Sequence, residues 1–175
     1  MSSFTVRLTF HGDLAFFLTR KRSIVERRLN ERTSVKDIVE ACGVPHTEVD
    51  LVLVDGQPVD FSRVIGSEAG VEVFPIRSRP VTLFPENQLQ VRGIRKFVAD
   101  GHLGKLVRDL RLLGINVVYD RDAEDRQLVK TSNAQDRALL TRDRHLLMHA
   151  AVRHGYYLRS QNSLEQRRTD SVFFI

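Results

Sequence analysis

Two aspartates stand where buried strands in the second half of the chain are expected to end. Asp100 closes the apolar run FVA, and Asp143 follows the run ALLT. A segment with helical periodicity comes after each of them, and such alternation favours a parallel α/β sheet. Because the carboxyl ends of parallel strands share one edge of the sheet, the two carboxylates are expected to converge.

The alternation of strands and helices continues through the second half. Leucine and valine residues at helical spacing predict the helix that follows Asp100: Leu103, Leu106, Val107, Leu110 and Leu113. Strands are expected at residues 97–99, 115–119, 138–141 and 156–158, with further helices at 123–134 and 145–153. This order predicts a parallel sheet covered by helices on both faces.

The first half has a different order of elements. Residues 4–10 alternate between apolar and polar side chains, as in a half-buried strand. A second, basic strand is expected within 20–32, then a helix capped by Thr33 or Ser34 and ended by Gly43, then strands at 51–54 and 71–74. The order β-β-α-β-β predicts a β-grasp, or ubiquitin-like, domain.

Three of the five prolines, Pro75, Pro80 and Pro85, introduce a stretch without sustained periodicity. We therefore expect an α+β protein of two domains: a β-grasp domain at 1–78, a linker at 79–92, and an α/β domain with a parallel sheet at 93–175.

Charge and composition narrow the function classes. Residues 81–175 hold 16 Lys/Arg against 11 Asp/Glu and so carry the whole net charge of +5. A basic half favours a polyanionic partner such as RNA, although solvated surface charge is an alternative. No apolar run reaches the roughly 18 residues of a membrane span, and no signal-peptide core is present, so a cytoplasmic protein is expected. The single cysteine, Cys42, excludes an internal disulfide and a Cys-based zinc ribbon.

Five acids fall at the boundaries of the expected elements of the second half: Asp100, Asp120, Asp122, Asp125 and Asp143. Carboxylates brought together repel one another unless a cation lies between them, and oxygen ligands suit Mg²⁺ or Mn²⁺. Such an ion lowers the pKa of a bound water and neutralises a phosphate. A metal-dependent nuclease is the resulting hypothesis. Taken singly, Asp122, Asp125 or Asp143 could also cap a helix.

Four blocks of sequence in the second half carry a family resemblance. The blocks KFVADGHLGKLVRDLRLLG, VVYDRDAEDRQLV, RALLTRDRHLL and HGYYLRS, with Glu165 and Gln166 beyond, resemble the Mut-7 C-terminal ribonuclease domain, a PIN-like nuclease family. The resemblance implies that Asp100, Asp125 and Asp143 are catalytic and bind Mg²⁺ or Mn²⁺, with Asp122 as a fourth metal ligand. It also implies that the substrate is RNA.

The first half has its own resemblance. The runs EVDLVLVDGQPVDFSRVI and GVEVFPI are similar to the sulfur-carrier branch of the ubiquitin-like proteins. Fusion of such a domain to the ribonuclease domain is a known arrangement. The carriers work through a C-terminal Gly-Gly, whereas Pro75-Ile76-Arg77-Ser78 occupies that place here, so we expect a docking module for RNA or for a protein partner.

Basic residues near the acids are candidates for RNA binding. Lys105 and Arg108 are one helical turn apart, and Arg142 and Arg144 flank Asp143. A second hypothesis is a non-catalytic RNA-binding adaptor, because His145 stands where related PIN-like proteins often have an aspartate. A third treats Asp120-Arg121-Asp122 as the Asp-x-Asp of a phosphatase.

Overall fold

The computed structural model describes residues 3–19, 22–80 and 82–159. The chain divides into two compact units, Met1–Gln90 and Val91–Ile175. Three residues that contribute to the family resemblance lie outside the described residues: Ser160, Glu165 and Gln166. No helix in the described part of the chain has the length and apolar character needed to cross a membrane.

The first unit is built on a five-stranded mixed sheet. Its strands, in the spatial order β2-β1-β7-β4-β5, are β1 (Phe4–Phe10), β2 (Ile24–Leu29), β4 (Val49–Val54), β5 (Gln57–Val59) and β7 (Ala69–Pro75). The central strands β1 and β7 are parallel, and their other neighbours are antiparallel. Two short strands, β3 (Thr33–Ser34) and β6 (Val64–Ile65), pair separately.

The α-helix of this unit, α1 (Val35–Ala41), follows β3 in the chain and buries Val35, Ile38 and Val39. Ser34 caps it, since its hydroxyl oxygen accepts a hydrogen bond from the backbone N–H of Asp37 at 3.1 Å. Gly43 follows the end of the helix with a φ of 93°, a left-handed conformation that glycine adopts easily. The predicted β-grasp order of elements is confirmed.

The second unit contains a four-stranded sheet in which all strands are parallel. Its strands, in the order β11-β10-β8-β9, are β8 (Lys96–Ala99), β9 (Asn116–Tyr119), β10 (Ala138–Thr141) and β11 (Gly155–Tyr157). The helices are α2 (Gly104–Leu112), α3 (Asp125–Ala134) and α4 (Arg144–Leu147). The predicted parallel sheet is therefore confirmed.

The third helix of this unit is much shorter than the sequence predicts. A helix was expected at 145–153, but α4 ends at Leu147. The chain then turns around His149, whose carbonyl oxygen accepts from the N–H of Val152 at 2.9 Å and whose Nδ1 accepts from the N–H of Ala151 at 3.2 Å. These bonds satisfy backbone donors in a turn and so replace further helical bonds.

One apolar cluster of the second unit lies between the sheet and the helices α3 and α4. Val98 and Leu139, on neighbouring strands, pack in one apolar cluster with residues of both helices: Leu128, Val129, Leu146 and Leu147. This packing fixes the helices against the sheet, and it thereby fixes the loops that leave the carboxyl ends of β8 and β10.

The segment expected to be a linker, residues 79–92, belongs to the first unit as far as Gln90. Arg79 is buried and forms an ion pair with Asp50 at 3.0 Å. At the other end, the buried side chain of Gln90 donates to the carbonyl oxygens of His46 and Val49 at 2.9 and 3.0 Å. In its described residues the segment forms no helix or strand, and its backbone follows these contacts, which agrees with its lack of periodicity.

Candidate metal-binding site at the carboxyl edge of the second sheet

The strand order of the second sheet creates one switch point, between β8 and β10. The chain runs from β8 to β9 on one side, whereas β10 and β11 lie on the other. Connections that leave neighbouring parallel strands in opposite directions open a crevice outside their carboxyl ends, which is where ligands bind in such sheets. Asp100 directly follows β8, and Asp143 comes two residues after β10. Both candidate acids therefore lie at this crevice.

A threonine connects the two acids. The strand register pairs Leu140 with Ala99, so Thr141 and Asp100 come next on the two strands. The hydroxyl of Thr141, which is fully buried, donates to Oδ2 of Asp100 at 2.7 Å. The hydroxyl oxygen of Thr141 in turn accepts from the backbone N–H of Asp143 at 2.9 Å. One side chain thus orients the carboxylate of Asp100 and the backbone that carries Asp143.

Asp143 also caps α4. Its Oδ1 accepts from the backbone N–H groups of His145 and Leu146 at 2.7 and 3.3 Å. The cap of α3 is Glu124, whose N–H donates to Oε1 of Gln127 at 3.1 Å. The capping interpretation therefore holds for Asp143 and is wrong for Asp122 and Asp125.

These hydrogen bonds leave one oxygen of each central acid for a ligand. Within the described residues, Oδ1 of Asp100 and Oδ2 of Asp143 take part in no hydrogen bond. Mg²⁺ commonly binds through one or two carboxylates and completes its shell with water and substrate phosphates. The donor chemistry of Asp100 and Asp143 therefore fits Mg²⁺ or Mn²⁺.

The other two candidate ligands, Asp122 and Asp125, are exposed and follow β9. Asp122 lies in a tight bend, where its N–H donates to Oδ1 of Asp120 at 3.0 Å, and Asp125 begins α3. In the described ranges, no three His, Cys, Asp or Glu side chains come together as a group that could hold a metal ion. The structure thus brings Asp100 and Asp143 together and leaves Asp122 and Asp125 outside their cluster.

The loops after β8 and β9 nevertheless touch one another. A Cβ atom added to Gly101 would lie 2.3 Å from the carbonyl oxygen of Arg121, so only glycine fits here without a shift of the backbone. The hydroxyl of Tyr119 donates to the carbonyl oxygen of Gly101 at 2.7 Å. This bond and this close contact hold the turn after Asp100 against the bend that carries Asp122.

The candidate RNA-binding residues lie in two groups. Lys105 and Arg108 are exposed on α2, and Arg108 lines a cleft of about 320 Å³ together with Tyr119. Arg142 and Arg144 are exposed on either side of Asp143. A further cation, Arg159, follows β11, and burial lowers the pKa of its guanidinium to about 10. At neutral pH it keeps its charge, so the carboxyl edge carries cations beside its acids.

Sequence reasoning missed three residues that shape this edge: Gly101, Tyr119 and Thr141. The sequence pattern predicts Thr141 only as a residue of a buried strand. Its hydrogen-bond partners depend on the register of β10 against β8. A polar residue that closes an otherwise apolar strand, two positions before an acid, was the one available signal. The roles of Gly101 and Tyr119 depend on contacts between two loops, which no local pattern encodes.

Together, the fold and this edge define a two-domain protein with a β-grasp unit and a parallel α/β unit that has an acidic carboxyl edge. Family models match both parts: residues 3–81 match Mut7-C ubiquitin, and residues 95–170 match the Mut7-C RNAse domain. The two parts of the chain therefore match these two family models one after the other. This is the fused arrangement that the resemblance implied.

Solved structures similar to part of the chain include a small archaeal modifier protein. SAMP1 from Haloferax volcanii is 16% identical, with a TM-score of 0.34, and covers 43% of this chain and 99% of its own. The HVO 2177 protein of the same organism is 16% identical, with a TM-score of 0.36, and covers 45% of this chain and 88% of its own. No curated protein matches the chain.

Proposed function

We propose that the second unit is a metal-dependent ribonuclease that hydrolyses phosphodiester bonds of RNA at the carboxyl edge of its sheet. The match to the Mut7-C RNAse domain supports a nuclease-like function. The observation that carries the proposal is the position of Asp100 and Asp143 at the switch point, joined through the hydroxyl of Thr141. RNA is preferred to DNA because of the family match.

In this proposal Asp100 and Asp143 would hold Mg²⁺ or Mn²⁺. Asp122 and Asp125, on the loop and helix that follow β9, would be further ligands. When bound, the ion supplies a water of lowered pKa and positive charge beside the scissile phosphate.

Neighbouring groups of the chain orient the two central acids, and nearby cations bind the RNA phosphates. The hydrogen bond from Thr141 fixes the orientation of the Asp100 carboxylate. The capping bonds do the same for Asp143 by pinning its Oδ1 to the start of α4. Arg142 and Arg144 contact phosphates next to this acid, while Lys105 and Arg108 bind the strand further along.

A second candidate is a non-catalytic adaptor that binds RNA through the same cations. It is favoured by one observation: Asp122 and Asp125 do not join Asp100 and Asp143 in a group of metal ligands within the described residues. The phosphatase interpretation has less support, since Asp120 and Asp122 follow the edge strand β9 and are tied to each other in a bend.

One experiment separates the two candidates. Single-stranded RNA is incubated with the protein and Mn²⁺, and the assay is repeated with EDTA and with Asp143→Asn. A ribonuclease gives cleavage that EDTA and the substitution both abolish. An adaptor gives salt-sensitive binding without cleavage, unaffected by EDTA. Equal cleavage by both proteins excludes Asp143 from the site.

A further inference from the structure

A cleft lies between helix α2 and the edge strand β9 of the second unit, and it is called the α2–β9 cleft below. Its volume is about 320 Å³, and the described residues that line it carry one aromatic ring, two guanidinium groups, two apolar side chains and no carboxylate: Gly104, Val107, Arg108, Arg111, Leu112 and Tyr119. Sites for small ligands have volumes of about 300–1,000 Å³ and combine apolar walls with a few polar groups. The α2–β9 cleft therefore has room for one small group, and its lining favours an anion.

The ring of Tyr119 is fixed at the wall of this cleft. Its hydroxyl donates to the carbonyl oxygen of Gly101 at 2.7 Å. A Cβ atom added to Gly104 would lie 2.8 Å from that hydroxyl oxygen and 3.4 Å from Cζ of Tyr119, so the missing side chain of Gly104 makes room for the ring. Tyr119 stays partly exposed. A fixed and partly exposed ring can stack a nucleic-acid base at little cost in side-chain entropy.

The guanidinium of Arg111 is fixed as well. Its Nε and Nη2 both donate to the carbonyl oxygen of Val117, in the edge strand β9, at 3.2 and 2.9 Å. Two bonds to one acceptor hold the guanidinium plane in a single orientation, while the residue stays exposed. Bases of single-stranded RNA stack on such planes as well as on aromatic rings. Tyr119 and Arg111 thus give the cleft two flat groups on which a base can stack.

Arg108 supplies a free positive charge at the same cleft. Its side chain is exposed and has no hydrogen-bond or ion-pair partner within the part of the chain that the structure describes. It is therefore available for a phosphate, which arginine binds through charge-assisted hydrogen bonds. Leu112, at 79% exposure, adds an apolar rim. A nucleotide complements this lining, because it joins a flat base to a negative phosphate.

The α2–β9 cleft adjoins the candidate metal site. Gly101, whose carbonyl oxygen accepts from Tyr119, directly follows Asp100 in the chain. We propose that the cleft binds one unpaired base of the RNA close to the scissile phosphate, with the base against Tyr119 and Arg111 and its phosphate on Arg108. The choice of RNA as the ligand rests on the proposed function.

RNA binding in the absence of metal tests the cleft separately from catalysis. The full chain is titrated in EDTA into a short labelled single-stranded RNA and into an abasic oligoribonucleotide of equal length, which has the same phosphates but no bases. We expect Tyr119→Leu to weaken binding of the RNA by about 5- to 100-fold, the effect of losing one stacked base, and to leave binding of the abasic strand unchanged. Tyr119→Phe keeps the ring and should retain most of the affinity for RNA.

Two neighbouring leucines give a matched pair of variants that leave the core intact. Leu112 and Leu113 are 79% and 66% exposed, but only Leu112 is among the described residues that line the cleft. We expect Leu112→Ala to weaken RNA binding by roughly threefold, because it removes apolar contact with the base, and Leu113→Ala to have no effect. Neither variant should change binding of the abasic strand.

Three results overturn the proposal. Equal losses of affinity for the RNA and the abasic strand in Tyr119→Leu mean that the ring contacts no base. Wild-type affinity for RNA in both Tyr119→Leu and Leu112→Ala means that the cleft is not part of the RNA site. The same conclusion follows if the wild-type protein binds no RNA.

Failure of the cleft and failure of the ribonuclease proposal give different results. Base-dependent binding in EDTA, together with no cleavage in Mn²⁺, removes the catalysis and keeps the cleft. Cleavage in Mn²⁺, together with equal effects of Tyr119→Leu on the RNA and the abasic strand, keeps the catalysis and removes the cleft.

Discussion

Asp100 and Asp143 are 43 positions apart in the chain, yet they share one hydroxyl group. Thr141 donates to the carboxylate of Asp100 at 2.7 Å and accepts from the backbone N–H of Asp143 at 2.9 Å. The sharing is possible because β8 and β10 are neighbours in the sheet and run in parallel. The geometry of the carboxyl edge therefore depends on Thr141 as much as on the acids themselves.

Replacing Thr141 by valine keeps the shape of the side chain and removes both hydrogen bonds. Groups that orient a metal ligand typically contribute 10- to 100-fold to metal affinity or activity. We expect the rate of Mn²⁺-dependent RNA cleavage to fall by about 10- to 100-fold in Thr141→Val and to stay near the wild-type rate in Thr141→Ser. Cleavage rates measured at several Mn²⁺ concentrations check this. Equal rates for the valine and serine variants would show that the hydroxyl has no role.

Asp143 has two roles that different substitutions separate. Asparagine caps helices as well as aspartate does, but it carries no charge. We expect Asp143→Asn to unfold at nearly the wild-type denaturant concentration while losing cleavage. Asp143→Ala should lose cleavage and about 1 kcal/mol of stability as well. Denaturant unfolding and RNA cleavage are measured on both proteins. If the alanine variant were as stable as the asparagine variant, the cap seen at α4 would not contribute to stability.

The contact between Gly101 and Arg121 predicts a steric effect. An alanine Cβ at position 101 would lie 2.3 Å from the backbone oxygen of Arg121, which cannot move as a flexible side chain can. We expect Gly101→Ala to lower the free energy of unfolding by about 1–3 kcal/mol. His102→Ala, at an exposed neighbour, should change it little. Thermal and denaturant unfolding compare the two. A neutral Gly101→Ala would mean that the two loops are not in contact.

Glu40 predicts a pH dependence in the first unit. Burial by itself raises the pKa of Glu40, but the hydrogen bonds with His46 at 2.6 Å and Lys36 at 3.0 Å outweigh it and lower the pKa below its ordinary 4.5. A lowered folded-state pKa stabilises the fold above pH 4.5, and this contribution is lost as the pH falls through the folded-state value.

We therefore expect Glu40→Gln to destabilise the protein at pH 7 and to approach wild-type stability near pH 3. The free energies of unfolding of the two proteins are compared by urea unfolding at pH 7 and pH 3. Unfolding is monitored with a signal from the first unit. The assigned direction of the pKa shift would be contradicted if the two proteins differed in free energy of unfolding as much at pH 3 as at pH 7, or more.

Much of the site could be predicted from local pattern. Asp100 and Asp143 follow short apolar runs, and the rule that parallel strands share a carboxyl edge brings them together without further information. Ser34 is likewise identified as a helix cap by its place before an apolar helical stretch. These features depend on neighbours in the sequence.

The rest depends on contacts between distant residues. The partners of Thr141 follow from the register of two strands, and the segment after β7 is held, in its described residues, by the ion pair of Arg79 with Asp50. The early end of α4 follows from the turn around His149. The roles of Asp122 and Asp125 as metal ligands stay predictions, since both lie on the loop and helix that follow an edge strand.

Mn²⁺ binding to the isolated protein tests the central claim most directly. A titration followed by electron paramagnetic resonance compares the wild type with Asp100→Asn and Asp143→Asn. The control is Asp136→Asn, because Asp136 is exposed, lies just before the amino end of β10 and has a φ of 52° that asparagine tolerates. We expect the control to bind Mn²⁺ as the wild type does and the other two variants to lose at least about tenfold in affinity. Equal affinity in all four proteins would contradict a metal site at the switch point.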